Sequence, residues 1–169
     1  MIRFRSPYSL AIVVSCLFAL FMTAGCAPPF PKETLDKVNR NVSFQELKKE
    51  PEKFKGTQVM LGGMIVASKN TKEGTLIEIL QKPLDTDGRP LQTDLTEGRF
   101  LVRSDTFLDS AVYHEGRLIT VVAEVLGRKE LPLDDIMYPY PLLIVKDLHL
   151  WGPSQGPHFF FGIGVSHRL

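Results

Sequence analysis

Five stretches of the chain, at fairly regular intervals, are rich in apolar residues, and polar segments bearing glycine or proline separate them. That pattern predicts half-buried strands over 58–68, 75–81, 98–104, 117–127 and 141–151. The first, "QVMLGGMIVAS", carries Gly62 and Gly63 in its interior, where glycine marks a bulge or a close backbone approach. The fourth, "RLITVVAEVLG", is the clearest strand of the five. Two segments follow a helical period instead. In "SFQELKKEP", Ser43 and Glu46 make a capping box, Phe44 and Leu47 share a face, and Pro51 ends the pattern. In "DTFLDSAVYHEG", Asp105 can cap, Phe107, Leu108, Ala111 and Val112 form a stripe, and Gly116 stops it.

The predicted order is three strands, a helix, then two strands. The fold class is therefore mainly β: a five-stranded OB-like Greek-key barrel with one helix between strands 3 and 4 and a short N-terminal helix. An open sandwich of similar strands is the structural alternative. Two polar, proline-bearing loops stand out, 82–98 and 128–141, and loops of this kind carry binding on such frames.

The N-terminus follows another rule. Arg3 and Arg5 precede an apolar run over 10–22, and Thr23, Ala24 and Gly25 are small. This is the layout of a secretory signal, and the run is short for a membrane helix, which needs about 20 residues. An uncleaved anchor helix is the alternative. "TAGC", ending at Cys26, resembles the bacterial lipobox, with Thr23 where the common pattern has leucine. The resemblance implies cleavage before Cys26 and acylation of its thiol and new amino group. "VVSC", ending at Cys16, fits the short pattern too, but cleavage there would leave "LFALFM" on the mature protein. Several acyl chains on one residue give stable membrane anchoring without a spanning helix. The chain thus divides into a signal peptide (1–25), the acylated cysteine and a polar tether (26–41), the barrel domain (42–151) and a linker with a strand-like tail (152–169).

Charge narrows the partners. The chain carries 20 basic and 19 acidic side chains, and loss of Arg3 and Arg5 with the signal leaves 18 against 19, a formal charge of −1. No basic field remains for nucleic acid. Cys26 would be the one remaining cysteine, so an internal disulfide framework is ruled out.

The motifs "LGGMIV", "TLIEILQKPLDTDGRP", "EGRFLVRSDTFLDSAVYHEGRLITVVAEVLG" and "YPYPLLIVKDLHLW" resemble the Slp family of starvation-inducible outer-membrane lipoproteins, over roughly 42–151 plus the signal and Cys26. Leu61 departs from the pattern, where tryptophan is expected before the two glycines. The resemblance implies a lipoprotein of Gram-negative bacteria on the periplasmic face of the outer membrane, associated with starvation and stationary-phase stress. It implies no catalytic activity and transfers one functional position, Cys26. Ala27 stands where an aspartate would favour the inner membrane.

Candidate chemistry is sparse. Asp85 and Asp87 in "PLDTDG", and Asp134 and Asp135 in "PLDDI", are paired carboxylates of the kind that bind cations or move protons, but turns favour Asp and Gly too. His114, His149, His158 and His167 lack the spacing of a zinc pair. Arg89, Arg99 and Arg117 each adjoin glycine and can meet lipid phosphates, or pair with nearby acids. Tyr138, Tyr140 and Trp151 are packing residues or a recognition strip. The tail "HFFFGIGVSHRL" is apolar on one face at period two, which suits a contact with an envelope protein or membrane, or packing on its own barrel.

The expected function is that of a non-enzymatic outer-membrane lipoprotein serving envelope maintenance or interaction under stress. It uses no cofactor or metal. Its partners are outer-membrane lipid through acylated Cys26 and an envelope protein through the tail. The alternative is a small-ligand or lipid-binding module built on the 82–98 and 128–141 loops.

Overall fold

The computed structural model describes residues 28–152. Five strands form a closed barrel: β1 (Gln58–Thr71), β2 (Gly74–Gln81), β3 (Arg99–Ser104), β4 (Leu118–Leu133) and β5 (Ile136–Leu150). Around the barrel they run β1-β2-β3-β5-β4, with β4 returning to β1. All neighbours are antiparallel except β3 and β5. This is the five-stranded OB-type barrel expected from the sequence.

The core follows from the two-residue period of the strands. Along β2, Thr75, Ile77, Ile79 and Gln81 are buried and every intervening residue is half-buried. Phe100, Val102, Val121 and Leu143 bring the other strands' inward residues into the same cluster. Each fully buried aliphatic or aromatic side chain contributes about 1.5–3 kcal/mol. Two short helices precede the barrel, α1 (Lys32–Leu35) and α2 (Phe44–Lys49). The Ser43–Glu46 capping box is present, with the Ser43 side chain accepting from the Glu46 amide and the Glu46 carboxylate accepting from the Ser43 amide. α2 buries Phe44 and Leu47, and Phe44 meets Phe100 edge to face at 5.7 Å.

The two interior glycines of β1 have separate reasons. A Cβ on Gly63 would collide with the backbone carbonyl of Leu80 on β2. A Cβ on Gly62 would strike Leu84, Pro90 and Thr120, so Gly62 lets the loop after β2 fold down onto the strand.

Two expectations are corrected. Residues 105–117 form turns and no helix. Asp109 organises them: its carboxylate accepts the Ala111 amide and its carbonyl accepts the amides of Val112 and Tyr113. The Leu108 amide donates to Thr75 Oγ1 on β2. Phe107, Ala111 and Val112, three of the four residues of the supposed stripe, are exposed, and Leu108 and Tyr113 make the contact with the core.

Residues 128–141 are likewise no loop. They are the outer part of a β4–β5 hairpin that turns at Asp134 (φ 52°) and Asp135. Its prolines are compatible with pairing because of their register. Pro132↔Met137, Glu130↔Pro139 and Arg128↔Pro141 are alternate pairs of one ladder, so all three prolines fall in the same class of pair. In the pairs that exchange no hydrogen bond, the missing N–H points away from the partner strand and costs the ladder nothing.

Candidate functional site

The segment expected to be an extended tether is, from Phe30 onward, packed on the barrel. Phe30 is 2% exposed. Its ring meets His149 edge to face at 6.4 Å, and His149 meets Trp151 at 4.5 Å. The Asn39 amide donates to the Gln58 carbonyl at 2.8 Å, fixing the far end of the segment to β1. The apolar residues of this polar stretch, Phe30, Leu35 and Val38, were the available signal, and the three prolines hid it.

Between this segment and the barrel lies a cleft of about 380 Å³. Pro28, Pro29, Leu35 and Met60 supply apolar walls, Arg40 and Asp87 supply charge, and Trp151 lies across from the N-terminal segment. The first half of the 82–98 loop forms its other side. Asp85 folds that loop into a tight turn: its carboxylate accepts the amides of Asp87 (2.9 Å) and Arg89 (2.8 Å). Leu84 bridges to Pro90, closing a miniature hairpin.

A buried hydrogen-bond chain ties the hairpin to β4 and β5. Trp151 Nε1 donates to Thr120 Oγ1 at 2.9 Å, and Thr120 Oγ1 donates to the Gly88 carbonyl at 2.7 Å. The Arg89 guanidinium lies 5.4 Å from the Trp151 ring centroid, a cation–π contact. Arg117 donates to the Trp151 carbonyl at 3.0 Å.

The second half of the 82–98 loop meets the root of the β4–β5 hairpin. Lys48 donates to the Glu97 carbonyl and sits 5.4 Å over the Tyr138 ring. Lys48 and Glu97 border a shallow depression together with Gln45, Lys49, Thr96 and Arg128. Beside it, Glu78 accepts from Arg99 at 2.8 Å and from the Tyr140 hydroxyl at 3.0 Å. Burial and the bond to Glu78 push the Tyr140 hydroxyl up to about 12, and the same carboxylate raises Arg99 above its ordinary value.

The predicted site residues are thus dispersed. Asp85 and Asp87 lie in the cleft hairpin, while Asp134 and Asp135 make the β4–β5 turn. Arg99 is paired with Glu78, Arg117 holds backbone carbonyls, and Arg89 stacks on Trp151. His114 contacts the neighbouring Glu115 carbonyl and His149 packs in the cleft wall. Among the described residues, no three His, Cys, Asp or Glu side chains form a group that could hold a metal ion. Cys26, His158, His167 and the tail strand lie outside the described residues.

Comparison with known proteins matches residues 23–159 to the model of the outer membrane lipoprotein Slp family. The chain belongs to the Slp family. Two Escherichia coli K12 proteins are similar to it. Uncharacterized lipoprotein YeaY is 29% identical over 105 residues, 62% of this chain and 54% of that protein. Outer membrane protein Slp is 27% identical over 109 residues, 64% of this chain and 57% of that protein. The chain thus spans little more than half the length of the curated relatives it matches. Among solved structures, the mitochondrial single-stranded DNA-binding protein Rim1 of S. cerevisiae aligns at 14% identity and a TM-score of 0.30, over 55% of this chain and 92% of that one. The barrel assignment rests on the strand order itself.

Proposed function

We propose that this Slp-family lipoprotein is cut after Gly25, acylated at Cys26 and held on the periplasmic face of the outer membrane, where it acts as a non-enzymatic interaction module in envelope maintenance under starvation or stationary-phase stress. The family supplies the outer-membrane lipoprotein character. The observation that carries the rest is the docked N-terminal segment. Phe30 is buried four residues after the proposed lipid-bearing cysteine, so the anchor leads straight onto the barrel wall. The non-enzymatic reading is supported by the use of the candidate carboxylates in structure: Asp85 holds two amides of its own turn, and Glu78 is divided between Arg99 and Tyr140. Outer-membrane lipid is the first partner, and an envelope protein engaging the tail is the second.

The test is metabolic labelling with a tagged fatty acid in a Gram-negative host, followed by membrane fractionation. The wild-type chain takes up label and sediments with the outer membrane. Cys26→Ser loses both. An unlabelled protein still found at wild-type level in the outer membrane overturns the anchor.

The alternative, a small-ligand module using 82–98 and 128–141, keeps one supporting observation. Those two segments do meet, at the depression rimmed by Lys48, Lys49, Arg128 and Glu97. A soluble anionic ligand would be recognised there by its cations.

A further inference from the structure

Covalent geometry places the proposed anchor beside the cleft. Cys26 precedes Pro28, a lining residue, by two positions, so their Cα atoms are at most about 7 Å apart. The described chain also ends on this face, since Trp151 lines the cleft and Gly152 accepts from Arg89 at 3.4 Å. The 17 residues beyond Gly152, including "HFFFGIGV", therefore leave from the same place as the lipid-bearing end.

The chemistry of the face is that of a membrane interface. Prolines 28 and 29, Met60 and the half-buried Trp151 present apolar surface. Arg40 is exposed and its guanidinium has no hydrogen-bond or ion-pair partner among the described residues. Arg89, stacked on Trp151, keeps donors beyond its one long bond to Gly152. Tryptophan concentrates at the headgroup level of bilayers, and arginine binds phosphate oxygens through paired donors. Asp87 is the one acidic residue lining the cleft.

Resting on the Cys26 anchor, we propose that the cleft face is the surface this protein lays on the bilayer, with the head of one anionic phospholipid in the cleft and its phosphate on Arg40 and Arg89. The short leash makes the face selection. A lipid attached two residues from the cleft cannot leave that wall far from the membrane, whereas a flexible tether would leave orientation free. The occupant is a bilayer lipid, delivered at high local concentration by the anchor.

Trp151 is the only tryptophan in the sequence, so its emission reads out this face alone. Full-length acylated protein, its lipid verified by mass, is reconstituted into phosphatidylethanolamine–phosphatidylglycerol vesicles containing brominated phosphatidylcholine. Trp151 emission is expected to fall about twofold against unbrominated vesicles, as for an indole about 5–10 Å into the interface. Arg40→Glu should recover part of that signal, because the leash still holds the face near the bilayer but the phosphate contact no longer seats it, while leaving the melting temperature unchanged. Trp151 that is quenched by aqueous iodide and untouched by bromolipid overturns the orientation. Quenching that is the same without phosphatidylglycerol and indifferent to Arg40→Glu overturns the phosphate contact. Absence of acyl mass on Cys26 removes the anchor itself, a failure the mass spectrum separates from the other two.

Discussion

The two ends of β5 are built differently. At the His149 end, residues remote in sequence converge: Phe30 on His149, Trp151 on Thr120, and Thr120 on Gly88. At the Ile136 end the contacts are local, strand against adjacent strand, and Ile136 and Met137 are each 60% exposed. Thirteen residues separate the two ends, a contour of roughly 43 Å at about 3.3 Å per residue. One strand thus joins a locked end, where the described residues begin and end, to an open end that reaches away from it. A substitution at the locked end disturbs several segments together. A substitution at the open end leaves the remainder of the molecule intact.

The largest effect is expected at Phe30. Phe30→Ala removes a ring that is 2% exposed and empties the contact with His149. The loss should approach about 3 kcal/mol, the lower range for a buried phenylalanine, because the segment sits on the barrel's outside and can relax. Limited proteolysis should then cut within residues 28–42 while the barrel fragment persists. Resistance equal to the wild type would mean that Asn39 and the helix hold the segment without the ring.

How much of this was legible follows the range of the interactions. The capping box at Ser43 and Glu46 spans three residues, and the strands announce themselves by local apolar richness, so both were readable. The prolines at 132, 139 and 141 were misread as loop because their harmlessness depends on a register set by two strands together. The supposed helix at 105–116 failed because Thr75, 33 residues upstream, takes the Leu108 amide, while Asp109 takes the amides that follow. The cleft was invisible because it joins Pro28–Arg40, Met60, Thr86–Gly88 and His149–Trp151 across the whole domain. Among its residues Thr86, Asp87 and Gly88 belong to the "PLDTDG" motif, and that motif describes the turn rather than the cleft.

The root of the hairpin lies between the two extremes, and its clamp should cost an intermediate amount. Tyr140 is 1% exposed and donates to Glu78. Tyr140→Phe should lose about 1.5–3 kcal/mol at neutral pH, the range for a hydrogen bond to a charged group. The wild-type advantage also has a pH limit. Burial first, then the Glu78 bond, raises the folded hydroxyl to about 12 from its ordinary 10.0. A raised acid contributes its stability below the unfolded value and loses it as pH rises through the folded one. The gap between wild type and Tyr140→Phe in urea unfolding should therefore be constant below pH 10 and narrow between about 10 and 12. A gap independent of pH across that window would show that the hydroxyl is not the source of the difference.

The smallest effect is expected at the hairpin tip, and it sharpens the contrast most. Ile136 pairs with Leu133 and Met137 with Pro132, and their side chains stand largely in solvent. The double change Ile136→Ser, Met137→Ser removes two cross-strand apolar contacts, each worth about 0.2–1 kcal/mol, and relieves exposed apolar surface. The net cost should be about 0.5 kcal/mol, as for surface sites generally, with an unchanged denaturant slope. A loss above about 2 kcal/mol would show that the tip is packed against another part of the molecule, and the distinction between the two ends of β5 would collapse. With the small loss, the variant becomes a probe. A chain that folds, anchors and sediments like the wild type, yet fails to rescue a cell lacking it, has lost a contact that the tip makes outside the molecule. Exposed apolar residues at the end of a long hairpin, directed away from the proposed membrane face, are where such a contact would be made.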